Sequence, residues 1–327
     1  MKHVQRTLVA LVLLFPLLAL LPWITPVPVA MLIRLAFRKP RLSKPSGYAA
    51  MEAAVDVEED IHYPSTYGNN TLSLYRLRTS MPKVAPVVVW VHGGAYVGGD
   101  KLDAHYYCTA LASKGYVAVS MNYRRAPEAK FPSLLHQIAD VYLWLYSVQE
   151  HYSLDMTRLV FAGDSAGAHA AALFALVQTN FAYAKEIGIK PVVPSHCIRG
   201  LMLYCGPYNV QLFQNMKGFM GFFAHQAAWA YFGTRHWAQD FADIATVKNH
   251  ITKDFPATLL ADGNAFSFTQ HGIELATTLV QHRIPVTTYF APSSTQAWHA
   301  FQFLMASSAG QECFSMSQDF LREVFSQ

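Results

Sequence analysis

Six short apolar runs punctuate the chain, at 87–91, 117–121, 159–162, 198–204, 258–261 and 286–290. Polar residues do not alternate through them, and runs of this length and character predict strands buried on both faces of a parallel sheet. Ahead of them, 57–63 and 72–78 alternate well enough to be strands, joined by a turn at Gly68-Asn69-Asn70, so an antiparallel hairpin opens the domain. Helix-length stretches lie near 103–115, 133–149, 165–180, 269–282 and 310–325. Alternation at this spacing implies βαβ units, hence an α/β fold with a mostly parallel central sheet covered by helices on both faces. One interval breaks the rhythm. Residues 207–255 lie between two strands, far too many for an ordinary crossover, and are rich in aromatics such as Tyr208, Phe219, Trp229, Tyr231 and Phe232. An insertion at the C-terminal edge of such strands is placed to form a cap over a ligand site. Most of those aromatics are expected to be the insertion's own core.

Composition sharpens this picture at the N-terminus. The net charge of +4 suggests acidic partners until it is located: residues 1–44 hold seven Lys or Arg and no Asp or Glu, leaving 18 basic and 21 acidic residues beyond. The basic excess is local and gives no reason to expect nucleic acid. Residues 7–33 carry no charge, long enough for the roughly 20 helical residues that span a bilayer. Pro16, Pro22, Pro26 and Pro28 interrupt the run, so the cleanest helix covers about 5–21. A retained membrane anchor over 1–44, with its basic flank, is the favoured reading. A cleaved signal peptide that leaves a secreted protein, or an interfacial or packed helix, are the alternatives. Counting basic residues on each side favours a cytoplasmic location for the chain beyond the anchor, and the prolines leave the side open. The remaining domain covers 45–327. Its four cysteines make no disulfide scaffold. Cys197 and Cys205 flank the run 198–204, which holds their Cα atoms roughly 26 Å apart if extended, whereas a disulfide needs about 6 Å.

Three motifs carry chemistry. Gly163-Asp164-Ser165-Ala166-Gly167 follows one strand directly and opens an Ala-rich helix. A serine hydroxyl attacks carbonyls only when held exposed beside a base; a strained strand-to-helix turn does the holding, and its flanking glycines avoid crowding. The amide of Ala166, at the helix start, faces the same space. His92-Gly93-Gly94-Ala95 follows the strand 87–91. Glycines there let backbone amides approach a substrate and stabilise the charge that develops on an attacked carbonyl, each donor contributing about 3 kcal/mol. A tight turn that is merely Gly-rich is the alternative. His299, in Trp298-His299-Ala300-Phe301, lies just past the last strand. A chain with 14 histidines makes most of them structural, but this one has the position of a catalytic base, after nucleophile and acid. His92 is expected to shape the oxyanion turn by hydrogen bonding.

The series His92-Gly93-Gly94, Asn122-Tyr123-Arg124-Arg125-Ala126-Pro127-Glu128 with Phe131-Pro132 and Asp140, the Gly163–Gly167 elbow and His299 resembles the hormone-sensitive-lipase-like branch of the α/β hydrolases. That branch includes bacterial carboxylesterases and arylacetamide-deacetylase-like enzymes, and the resemblance covers roughly 50–327. It implies a capped site that hydrolyses esters of small to medium acyl or aryl groups. It also implies an oxyanion hole formed by the amides of Gly93, Gly94 and Ala166, and a structural role for Arg124, Glu128 and Asp140. Two departures matter. Ala95 stands where the family has a third glycine, and should be tolerated if its φ is negative. The family's acid aligns with Ala265 or Phe266, so the nearby Asp262 is the expected partner of His299, with Asn264 or a distant acid as alternatives. The missing acid motivates a second hypothesis, a non-catalytic ligand-binding or scaffold protein on this fold. An amidase or acyltransferase would use the same residues. No metal or cofactor is expected: there is no His-Glu-x-x-His motif and no phosphate loop.

Overall fold

The computed structural model describes residues 20–38, 41–78 and 83–326. Eight strands form one sheet in the order β1-β2-β4-β3-β5-β6-β7-β8. They are β1 Val55–His62, β2 Thr71–Leu77, β3 Ala85–Val91, β4 Val117–Met121, β5 Leu154–Asp164, β6 Ile198–Tyr204, β7 Thr258–Asp262 and β8 Val286–Phe290. The β1–β2 and β2–β4 pairings are antiparallel, whereas β4–β3–β5–β6–β7–β8 is parallel throughout. β4 and β7 are buried along their whole length, as apolar runs without alternation require. β8 departs from that expectation. As the sheet's last strand it has a neighbour on one side only, and it is largely half-exposed. β5 begins at Leu154, earlier than its apolar run, because Leu154 and Asp155 extend the pairing to Ala85 and Pro86 of β3.

Two apolar cores flank the sheet. One is packed by the helices Ser133–Ser147, Ala166–Thr179 and Thr269–Gln281. The other is packed by His105–Ala112 and Ser308–Ser326. The long helix Ala166–Thr179 is buried almost throughout and rich in Ala, which lets it lie close against β5, β6 and β3. Small side chains at this contact shorten the helix–sheet distance and fix where the helix begins. All four cysteines are free and buried.

The interval between β6 and β7 contains a helix, Gly218–Phe232, and several single turns. Its aromatics are largely an internal core, as expected: Phe232 stacks on Phe241 and on Trp237. The helix also supports the N-terminal region. The helix Val27–Ala36 packs across it, Trp23 meets Phe222 at 6.2 Å between centroids, and the Gln226 amide donates to the Pro22 carbonyl at 2.9 Å. The helix expected over 5–21 lies almost wholly outside the described residues. Among those described, no helix is long and apolar enough to cross a membrane.

Candidate active site

The C-terminal edge of the parallel strands gathers the motifs. At the end of β5, Ser165 takes φ +51° and ψ −121° immediately before the helix Ala166–Thr179. For a residue with a side chain this conformation costs on the order of 1–3 kcal/mol and persists only where packing imposes it. The imposition is visible on both sides. The Ser165 amide donates to the Tyr204 carbonyl at the end of β6, 2.8 Å away. A Cβ at Gly167 would collide with the Val91 and His92 carbonyl oxygens, and one at Gly163 would lie 2.6 Å from the Gly167 carbonyl carbon. Only glycines at 163 and 167 let the helix start rest on the β3 backbone, and that closeness turns Ser165 outward. Ser165 is itself half-buried. Beneath it, the Asp164 carboxylate accepts from the Trp90 indole at 3.0 Å, and burial pushes Asp164 up to about 7.

The turn after β3 lies directly against this elbow. A Cβ at Gly93 would sit 3.1 Å from Ser165 Cβ and 2.9 Å from the Asp164 carbonyl oxygen, besides striking the Asp164 carboxylate. Gly94 takes φ +108°, and a Cβ there would press on the Gly98–Gly99 backbone. Its carbonyl accepts from the Val97 and Gly98 amides at 3.1 and 2.8 Å. That closed turn places Ala95 at φ +53° and Tyr96 at φ +63°. The condition set for easy tolerance of Ala95, a negative φ, is not met: the turn is tight enough to hold a non-glycine in the left-handed region, at a cost of roughly 1 kcal/mol. The amides of Gly94 and Ala166 have no hydrogen-bond partner among the described residues, and the Gly93 amide lies beside the Asp164 carboxylate. His92 braces the turn as expected. Its buried ring stacks on Tyr123 at 4.3 Å, and its Nδ1–H donates to the Gly93 carbonyl at 2.7 Å.

His299 follows β8 and returns to the same edge. The Ala300 amide donates to Cys205 Sγ at 3.4 Å, and Cys205 directly follows the Tyr204 that holds Ser165. Burial lowers the His299 imidazole to about 4, so it is neutral at pH 7. Neither Ser165 Oγ nor His299 Nε2 has a hydrogen-bond partner among the described residues. Asp262, the last residue of β7, is buried at 1 % exposure. Burial raises it to about 6, against the stabilising hydrogen bond from Ser267. The sequence pattern predicts that Asp262 orients His299 directly, and the geometry differs. Ser267 Oγ donates to Asp262 Oδ1 and lies 3.1 Å from His299 Nδ1. The short Asp262 side chain, fixed at the strand end, stops one hydroxyl short of the ring. Asn264 is not the alternative orienter either. Its amide donates to the Pro292 and Thr295 carbonyls at 2.8 Å and its oxygen accepts from the Ala297 amide at 3.1 Å, so it ties down the loop that carries His299.

Sequence reasoning also missed three supporting contacts. His169, one turn into the helix after Ser165, accepts from the Tyr96 hydroxyl at Nδ1 (2.8 Å) and donates from Nε2 to the Ala245 carbonyl (2.7 Å). Tyr96 in turn stacks on Tyr231 of the insertion at 3.8 Å, linking that segment to the glycine turn after β3. Arg34 donates to the Val97 and Ala126 carbonyls and pairs with Glu128. Glu128 and Asp140 thus hold separate contacts, since Asp140 accepts from Ser65 at 2.6 Å. The polar spacing of His169 four residues after Ser165 was the one available signal. Among the described residues no group of three or more His, Cys, Asp or Glu is placed to hold a metal ion.

An eight-stranded, mostly parallel sheet with a serine elbow facing a glycine turn defines an α/β-hydrolase. Comparison with known proteins narrows this: the chain belongs to the BD-FAE family, whose model matches residues 72–271. It is similar to esterase LipC of Mycobacterium tuberculosis, 30 % identical over 117 residues, 36 % of this chain and 29 % of that protein. It is also similar to the acetyl esterase of Salmonella schwarzengrund, 27 % identical over 150 residues, 45 % of this chain and 42 % of that one. These matches span less than half the length of the curated relatives. Among solved structures, an inhibited esterase B from Lactobacillus rhamnosis superimposes with a TM-score of 0.72 at 23 % identity, over 84 % of this chain and 92 % of that one. A bacterial heroin esterase does so with 0.66 at 18 %, over 84 % and 89 %. At such identities the structures show the fold, and it is the one the sequence pattern predicts.

Proposed function

We propose that this protein is a serine carboxylesterase in which Ser165 attacks the ester carbonyl and His299 takes its proton. The reading rests on one observation above others: the strained Ser165 elbow is packed against Gly93, so a nucleophile and a set of backbone donors share one small space. In the first half-reaction Oγ of Ser165 bonds to the carbonyl carbon as its proton passes to His299 Nε2. The amides of Gly93, Gly94 and Ala166 receive the oxyanion. Collapse expels the alcohol, protonated by His299, and leaves an acyl-enzyme. Water then repeats the sequence and frees the acid. Asp262 supplies the negative charge behind the imidazole. The esterase names of the similar proteins support the reaction class.

Substrates are esters with small to medium acyl or aryl groups. The aromatic neighbourhood supports this: Phe268 meets the His299 ring edge-on at 5.2 Å, and the 207–255 insertion serves as a cap through the Tyr96–Tyr231 stack. The N-terminal segment is proposed to hold the enzyme at a membrane surface. Leu20, Trp23, Ile24, Leu32 and Leu35 are exposed on its described part, next to a basic flank. A panel of p-nitrophenyl esters from acetate to a long-chain acyl tests the function. Turnover strongest at short to medium chains and lost in Ser165→Ala is expected; turnover equal in that variant refutes the assignment.

A further inference from the structure

We propose that Ser267 is a positioning residue for His299, a hydroxyl that carries the influence of the buried Asp262 carboxylate to the imidazole; this deepens the esterase reading above and rests on it. The count of protons on the Ser267 hydroxyl sets the direction of both contacts. A serine hydroxyl has one proton and two acceptor lone pairs. Ser267 gives its proton to Asp262 Oδ1, so toward His299, 3.1 Å away, it can only accept. The imidazole must then carry its proton on Nδ1, which leaves the lone pair on Nε2, the nitrogen that has to receive the Ser165 proton. The chain Asp262–Ser267–His299 therefore selects the working tautomer without any direct contact between acid and base.

The surroundings hold this chain in place. The Asn264 and Ala265 amides donate to the Ala297 carbonyl at 2.9 and 3.0 Å, and Thr269 Oγ1 donates to the Gly263 carbonyl at 2.5 Å. The loop after β7 and the loop bearing His299 are thus stitched side by side, with Ser267 at the seam. The Asp262 carbonyl accepts from Ala291 at 3.0 Å, which fixes the carboxylate relative to β8. The titratable groups facing Asp262 are the Cys205 thiol and the Tyr208 phenol from the end of β6, and His299 beyond Ser267. Burial pushes all three toward their neutral forms, so the Asp262 charge has no competing partner.

Protonation of Asp262 reverses the logic. A neutral carboxyl can donate to Ser267, which then turns its own proton to Nδ1 and places the imidazole proton on Nε2, the wrong nitrogen. With Asp262 raised to about 6 by burial and His299 lowered to about 4, the acid limb of activity belongs to the carboxylate and lies near 6.

The test compares Ser267→Ala, Ser267→Thr and the double variant Asp262→Asn/Ser267→Asp in p-nitrophenyl butyrate hydrolysis across pH 4–9, with Ser165→Ala as control. Ser267→Ala should lower kcat about 100-fold with KM within about twofold, and Ser267→Thr should stay within about fivefold of wild type. The double variant, which moves the carboxylate directly onto the ring, should recover to within about tenfold and shift the acid limb away from its wild-type position. A Ser267→Ala enzyme within about threefold of wild type and with an unchanged acid limb overturns the proposal. So does a loss that neither threonine nor the relocated carboxylate restores, which would mark Ser267 as packing alone. Turnover that survives Ser165→Ala sinks the esterase reading itself; a dead Ser165→Ala beside an unaffected Ser267→Ala sinks only the relay.

Discussion

Gly93→Ala isolates the convergence of nucleophile and oxyanion donors. The new methyl carbon would lie 3.1 Å from Ser165 Cβ and 2.9 Å from the Asp164 carbonyl oxygen, with the Asp164 carboxylate closer still. Ordinary contact between such atoms is nearer 3.5–4.0 Å, so the turn must withdraw by about 0.5–1 Å. The obstacles on the elbow are mainly backbone and a buried, hydrogen-bonded carboxylate, and neither can swing aside. A displacement of that size moves the amide donors out of range of a developing oxyanion, which costs about 10²–10³ in kcat. Gly98→Ala is the matched control in the same turn. Its Cβ would meet Phe37 Cβ at 3.4 Å and Arg34 Cα at 3.5 Å, ordinary packing that should leave kcat within about twofold. Both variants are assayed by steady-state hydrolysis of p-nitrophenyl butyrate, with thermal melts to establish folding. A folded Gly93→Ala enzyme within about threefold of wild type in kcat refutes the placement of the oxyanion hole.

Two further outcomes are expected from contacts around the site. Asn264→Ala removes the hydrogen bonds that tie the 291–297 loop, so His299 should lose its fixed position and kcat fall about 10–100-fold with little change in KM; stopped assays at saturating ester check this. His169→Phe leaves the Tyr96 hydroxyl and the Ala245 carbonyl unpaired, which should destabilise the fold by about 2–4 kcal/mol at pH 7.5. Burial lowers His169 from 6.5 to about 4, so its contribution is complete above 6.5 and is lost as pH falls through 4. The deficit of the variant should therefore be about 2 kcal/mol smaller at pH 5 than at pH 7.5, read from urea unfolding at both values.

The strands were legible because parallel strands covered on both faces are mostly apolar without alternation, and β4 and β6 fall on their predicted residues; β8 does so too, although it is half-exposed. Edge position was not legible, since nothing within 286–290 says that no ninth strand comes after it. The strand-to-helix elbow at Ser165 and the glycine turn after β3 could be read because the backbone geometry they need leaves glycines in the chain as traces. Ser267 left no such trace. Its role depends on two loops, 263–268 and 291–299, being stitched together by Asn264 and Ala297, a contact between residues far apart in sequence. The left-handed Ala95 was hidden for a similar reason: the turn that imposes it is closed by the amides of Val97 and Gly98 onto Gly94. The pairing of Arg34 with Glu128 joins a segment read as an anchor to the body of the domain, and no local pattern marks it.

Covalent capture gives the most direct test of the nucleophile. The full chain is reacted with a p-nitrophenyl alkylphosphonate, its intact mass measured, and the adduct located by peptide mapping. One phosphonyl group per chain is expected, carried on Ser165, and none on Ser165→Ala under the same conditions. A stable adduct on another residue, or equal labelling of the Ala variant, contradicts that assignment.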